Sequence, residues 1–218
     1  MKQPNASTIT IDGPVAAGKT VVGKLVAKKM SYRFLDTGSM YRALTWLAIE
    51  EGLDIKDKEA LSNLAINAKL EVDYLEGTET VKVNNKNATS NLRDTAVERA
   101  VSSVSQIREV RKAMGEEQQR LASGGRIVMV GRDIGTAILP NADLKIFLVA
   151  SVKERSRRRY KELAAGGQDI DEQTVLHDLE KRDLMDSSRA ISPLKTATDA
   201  HEIDTCDLSM NQVADKII

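Results

Sequence analysis

Short β-branched or apolar runs alternate with stretches in which apolar residues recur every three or four positions. The runs are Thr8–Ile11, Arg33–Leu35, Ile127–Val130, Lys145–Val149 and Glu202–Ile203. Two of them, Ile127-Val128-Met129-Val130 and Ile146-Phe147-Leu148-Val149, are continuously apolar, as parallel strands buried on both faces should be. Helical spacing links Val22, Leu25, Val26 and Met30, then Leu44, Leu47 and Ala48, then Val97, Ala100, Val101 and Val104, then Val110, Met114 and Leu121. Gly124-Gly125 ends the last of these. The alternation predicts an α/β fold: a doubly wound, five-stranded parallel sheet with helices on both faces.

One stretch follows a different period. Leu70-Glu71-Val72-Asp73-Tyr74 and Thr80-Val81-Lys82-Val83 alternate every second residue, with Glu76-Gly77 between them and the polar run Asn84-Asn85-Lys86-Asn87 after. This reads as a small antiparallel β subdomain inserted into the α/β unit. Near the end, Ser209 with Gln212 forms a capping-box start for a last helix reaching Ile218. Neither a linker nor an internal repeat interrupts the pattern, so residues 1–218 are expected to form a single domain.

Composition narrows the function classes. Lysine plus arginine and aspartate plus glutamate both number 32 in 218 residues. A balanced charge argues against bulk electrostatic binding to nucleic acid or to an anionic membrane. The one cysteine, Cys206, cannot form an internal disulfide and suits a reducing compartment. No signal-peptide pattern or membrane-length apolar run is present, so a soluble, cytoplasmic protein is expected, with no nucleic-acid or membrane partner.

The sharpest motif follows the first strand. Gly13-Pro14-Val15-Ala16-Ala17-Gly18-Lys19-Thr20 is G-x-x-x-x-G-K-T, the phosphate-binding P-loop, set between a strand and a helix. Its backbone N–H groups can cradle a triphosphate, Lys19 reaches the β- and γ-phosphates, and the Thr20 hydroxyl can ligate Mg²⁺. The helix it opens turns its positive end to the phosphates.

The arginines suggest a second anion. Arg42, Arg111, Arg132, Arg182 and Arg189 each stand beside a small polar residue, an acid or an element end. Phosphoryl transfer needs charge neutralised on both sides of the moving group, and guanidinium groups suit it. Asp36-Thr37-Gly38-Ser39-Met40-Tyr41-Arg42 and Gly131-Arg132-Asp133-Ile134-Gly135-Thr136 both follow strands, at the carboxyl edge where such sheets bind ligands. Arg155, Arg157, Arg158 and Arg159 begin a helix that reads either as a solvated basic face or as a lid, with Gly166-Gly167 as its flexible point.

With these motifs assembled, the chain resembles the bacterial cytidylate kinases among the nucleoside monophosphate kinases. The resemblance rests on TIDGP…GKT at Thr10–Thr20, DTGSMYRAL at Asp36–Leu44, GRDIGT at Gly131–Thr136 and ADLKIFLVAS at Ala142–Ser151. It continues through ERSRRRYKE at Glu154–Glu162, KRD…D..R at Lys181–Arg189 and SPL at Ser192–Leu194. It implies transfer of the ATP γ-phosphoryl group to CMP or dCMP with Mg²⁺ as cofactor, by a chain with a monophosphate-binding insertion at about 38–105 and a helical lid at about 153–170; a monomer is expected.

The same resemblance distributes the site. ATP would be held by Gly13, Pro14, Val15, Ala16, Ala17, Gly18, Lys19, Thr20 and Val21, with Arg155, Arg158 and Arg159 from the lid. The acceptor phosphate falls to Arg42, Arg132 and Arg182, and Thr37 lies beside the acceptor nucleotide. Ser102, Arg111 and Asp133 would face the cytosine, and Asp186 and Arg189 the sugar. Lys19, Arg132 and Arg182 are the expected catalytic groups and Thr20 the metal ligand. Against the family pattern, Val130 stands where an acid is usual, Val15 offers no hydroxyl, and Ser39 replaces a commoner alanine. The alternatives are a P-loop kinase of another small acceptor and a nucleotide-binding regulator with impaired transfer.

Overall fold

The computed structural model describes residues 7–75 and 78–218. The elements follow in the order β1 (Thr8–Asp12), α1 (Lys19–Met30), β2 (Arg33–Asp36), α2 (Thr37–Glu50), α3 (Lys58–Asn67), β3 (Leu70–Leu75), β4 (Thr78–Val83) and β5 (Lys86–Asn87). After these come α4 (Thr95–Val104), α5 (Arg108–Ala122), β6 (Ile127–Val130), β7 (Leu144–Val149), α6 (Val152–Ala165), α7 (Glu172–Ser187), β8 (His201–Asp204) and α8 (Met210–Ile217). A short π-helical turn, Ile134–Ile138, lies between β6 and β7. The main sheet is five-stranded, with β6-β1-β7-β8 as neighbours in that order.

Backbone contacts divide the chain into two compact units. The first runs through Tyr32 and resumes at Arg126; the second is Arg33–Gly125.

In the first unit, β1 pairs in parallel with β6 and β7, and β7 with β8. The registers place Ile11 beside Val130 and Ile146. All three are buried, as are Ile9, Val128, Met129 and Leu148, so the central strands carry apolar residues on both faces. Helix α1 contributes Val22 and Val26 to this core, and α8 contributes Val213, Ala214 and Ile217. The expected capping box is present: Ser209 Oγ accepts from Gln212 N–H, while the Gln212 side chain accepts from Ser209 N–H.

The second unit has its own core, with Met40, Leu44 and Leu47 of α2, Leu61 of α3, Val101 and Val104 of α4, and Val110 and Met114 of α5 all buried. The antiparallel subdomain is there, pairing Leu70 with Val83 and Val72 with Val81. The Glu76-Gly77 turn expected between the two strands lies outside the described residues. Among the elements that the spacing does not predict are a strand and a helix of this unit. Asn84 and Asn85 take left-handed conformations, φ 49° and 63°, and fold the polar run back into a third strand, β5, with Val83 opposite Lys86. This is the two-residue hairpin that asparagine favours. Helix α3 is the other, capped by Asp57, whose side chain accepts from Ala60 N–H. Among the described residues, no helix is long and apolar enough to cross a membrane.

Candidate active site

The phosphate loop is built from backbone conformations that few residues allow. Gly13 has φ 146°, and a Cβ there would sit 2.3 Å from the Leu148 carbonyl oxygen of the neighbouring strand. Gly18 has φ 94°, and a Cβ there would meet Met210 Sδ at 2.6 Å. Ala16 takes φ 59°. Alternating handedness of this kind turns successive N–H groups toward one concavity, the form of an anion nest. Gly18 is the N-cap of α1; among the described residues no side chain caps it, and no acid lies in its first turn. The helix therefore presents its first amides and its positive end without a competing carboxylate. Lys19 is buried, with Nζ donating to the Pro14 carbonyl at 2.6 Å across the loop.

The loop is braced from behind by α6 and the end of β8. Arg155, buried, donates to the carbonyls of Val15 at 3.2 Å and Ala150 at 3.0 Å, and to Asp183 Oδ2 at 2.6 Å. Arg158 donates to Thr205 Oγ1 at 2.9 Å and to the Thr205 carbonyl. Thr205, fully buried, has its hydroxyl 3.3 Å from the Ala17 carbonyl and 3.2 Å from that of Val149. Two arginines of the basic helix thus reach the carbonyl side of the phosphate loop, one directly and one through a threonine. Arg157 and Arg158 share Glu154, whose carboxyl is held well below its usual range, first by the hydrogen bond from Arg157. Arg159 pairs with Glu162 at 2.8 Å.

The same unit holds a second charged network. Arg132 donates from Nε to Asp186 Oδ2 at 2.8 Å, and Asp186 also receives Arg189. Asp186 is buried on α7, one helical turn beyond Arg182, which is half-buried. Asp133 is buried at the entry to the π-helical turn. Val130 is buried at the end of β6.

Four predicted residues belong to the second unit. Thr37 opens α2, buried, behind the N-cap Asp36, whose carboxylate accepts from Gly38 N–H at 2.8 Å. The Arg42 side chain is 11% exposed, lies 3.8 Å from Asp36, and has its Nε buried without a hydrogen-bond partner. Burial lowers its pKa from the ordinary arginine value, with Asp36 opposing. A desolvated cation with an unused donor is the environment an anionic ligand relieves. Arg111, buried, lies over the Tyr41 ring at 5.8 Å and donates to the Ser105 carbonyl. Ser102 is half-buried on α4.

One residue at the first unit's site has no role assigned from the sequence, although it stands inside the TIDGP run. Asp12, the last residue of β1, is 4% exposed and accepts from Ile134 N–H at 2.9 Å and Gly135 N–H at 2.7 Å. Its position immediately before the loop's first glycine is the only signal the sequence offers. Burial raises its pKa to about 6; the two N–H bonds and Lys19 pull it down, and Asp133 pushes it up.

The family model for cytidylate kinase matches residues 9–218. A cytidylate kinase of Bacillus subtilis (strain 168) is 46% identical over 211 residues, covering 97% of this chain and 94% of its own length. Another, from Geobacillus sp. (strain WCH70), is 46% identical over 214 residues, covering 98% and 96%. The chain belongs to the cytidylate kinase family. In fold it is also similar to a crystal structure of an uncharacterized protein from Eubacterium ventriosum ATCC 27560, with TM-score 0.51 and 14% identity, covering 98% of this chain and 96% of that one.

The buried carboxyl gives a pH test. Because the folded pKa of Asp12 lies above its unfolded value of 3.8, its contribution to stability is fully present below that value and is lost as pH rises through about 6. The stability difference between the wild type and Asp12→Asn should therefore shift by about 2 kcal/mol against the wild type between pH 4 and pH 7. Urea unfolding of both proteins across that range measures it. A difference independent of pH would mean that the carboxyl titrates alike folded and unfolded.

Proposed function

We propose that the protein transfers the γ-phosphoryl group of ATP to CMP or dCMP, giving ADP and the nucleoside diphosphate. The observation that carries this reading is the shared edge of β1 and β6. These neighbouring parallel strands end one in the phosphate loop, the other in the Gly131–Thr136 segment bearing Arg132 and Asp133. Membership of the cytidylate kinase family supports the same reaction.

Residues 13–21 hold the donor phosphates, with Lys19 on the transferring group and Arg155, Arg158 and Arg159 supporting the loop and its ligand. Arg42, Arg132 and Arg182 take the acceptor phosphate. Thr37, Ser102 and Arg111 join Asp133 on the nucleotide, and Asp186 with Arg189 hold its sugar. The transfer is direct and in line: the acceptor oxygen is already ionised at neutral pH, so no general base is required. What the protein supplies is position and preorganised positive charge.

The residues suit a Mg²⁺ ion that arrives with the triphosphate. The Thr20 hydroxyl would be the protein ligand, and among the described residues no group of three or more His, Cys, Asp or Glu side chains could hold an ion independently. Mg²⁺ commonly takes few protein ligands together with substrate phosphates, and it would neutralise phosphate charge beside Lys19.

Base choice follows from Asp133. Cytosine presents an amino donor at its 4-position, which a carboxylate accepts; uracil presents an oxygen there, and acceptor would face acceptor.

Two variants test the assignment. Lys19→Ala should cut CMP-dependent ADP formation by a factor of about 10² to 10³, the loss expected for one preorganised contact to developing charge. Wild-type kcat in that variant would remove Lys19 from the chemistry. Asp133→Asn should narrow the ratio of kcat/KM for CMP over UMP, since the amide can turn N–H₂ toward the uracil oxygen. If both substrates slow equally, Asp133 orients its neighbours and does not read the base.

A further inference from the structure

Resting on that reading of the site, we propose that Asp12 is a positioning residue for phosphoryl transfer: its carboxylate fastens the turn after β6 to the root of the phosphate loop and so sets Arg132 and Asp133 in register with Lys19. β6 follows β1 through Ile11 opposite Val130, and Gly131 N–H still donates to the Ile11 carbonyl at 3.1 Å. There the ladder ends. The chain passes through Arg132 and Asp133, and closes the wide turn with bonds from Ala137 N–H and Ile138 N–H to the Asp133 carbonyl.

The amides that begin such a turn have no partner within it. Both of those at Ile134 and Gly135 go to Asp12, one to each carboxylate oxygen. The fit leaves no slack. A Cβ on Gly135 would stand 2.9 Å from Thr10 Oγ1, 3.2 Å from Lys145 Cδ and 3.4 Å from Asp12 Oδ2, so the turn lies directly on β1. Asp12 is bonded in sequence to Gly13, whose own approach to Leu148 fixes the start of the loop. One side chain therefore ties the entry of the phosphate loop to the turn that follows Arg132 and Asp133.

The charged groups around it suit that duty. Lys19 and Asp133 act electrostatically on the carboxylate. Lys145, whose stem packs beneath Gly135, spends its ammonium on Asp199 and the Pro140 carbonyl. The two backbone amides are the hydrogen-bond donors to Asp12. A carboxylate is the one side chain of this size that can accept from both amides at once; an amide of the same shape turns one donor against another.

The test uses the whole protein with Asp12→Asn. Calorimetry measures ATP and CMP binding separately, steady-state assays measure CMP-dependent ADP formation, and amide hydrogen exchange is read at Ile134 and Gly135. The expected result is ATP affinity within about twofold of wild type, kcat with CMP lower by about 10- to 100-fold, and faster exchange at the two amides. A folded variant with unchanged kcat and CMP affinity overturns the proposal. So does an equal loss of ATP and CMP binding, which would make Asp12 a general support of the fold.

Gly135→Ala, which displaces the turn and leaves Asp12 in place, supplies the same readings if Asp12→Asn does not fold. The same selective loss supports the proposal, and wild-type kinetics overturn it. Wild-type protein that forms no ADP with CMP would instead sink the functional reading on which the proposal rests.

Discussion

A backbone that wraps a chain of phosphates has to present its amides and withdraw its side chains, and at Gly13 this requirement becomes steric. With φ at 146° and the Leu148 carbonyl 2.3 Å from where a Cβ would be, only glycine lets β1 turn into the loop while lying against β7. The rest of the site follows from that turn. It brings Lys19 to the first position of α1, leaves Gly18 as a cap without a side chain, and ends β1 with Asp12 facing the turn after β6. A larger residue at position 13 would move the loop, the carboxylate and the turn together.

Much of this was open to sequence reasoning because the physical signals are local. The continuous apolar runs of β6 and β7 are what strands buried on both faces require, and both appear where the runs lie. The period-two stretches pair as expected from Leu70 and Val83, and the Ser209 box caps α8. The elements that escaped carry weak signals. Helix α3 buries only Leu61 and Ala65, too few for a periodic stripe to stand out. Strand β5 is two exposed polar residues, and only the left-handed Asn84 and Asn85 define it. The π-helical turn depends on Asp12, more than a hundred residues away in sequence, a relation no local pattern encodes.

The basic helix shows the limit on the site itself. Its arginines spell a cluster, and a cluster reads equally as a solvated face or a closing lid. In the fold they separate. Arg155 is buried against the Val15 carbonyl and Asp183, Arg158 reaches the loop through Thr205, and Arg157 is exposed beside Glu154. The distinction rests on which positions of α6 face the phosphate loop, and Thr205, the partner that makes Arg158 part of the brace, has no motif of its own. For Arg42, by contrast, the sequence pointed to an anion-binding arginine after a strand; its burial, with Nε left without a hydrogen-bond partner, is what only the fold supplies.

Acceptor choice is the most direct test, because membership of the cytidylate kinase family points to one substrate class. ADP formation from ATP should be measured with CMP, dCMP, UMP and AMP in parallel at equal, subsaturating concentrations. The account predicts turnover with CMP or dCMP at least about a hundredfold above that with UMP or AMP, the discrimination available to a site built to accept one hydrogen bond from its substrate. Equal turnover with UMP, or turnover with none of the four, would contradict it.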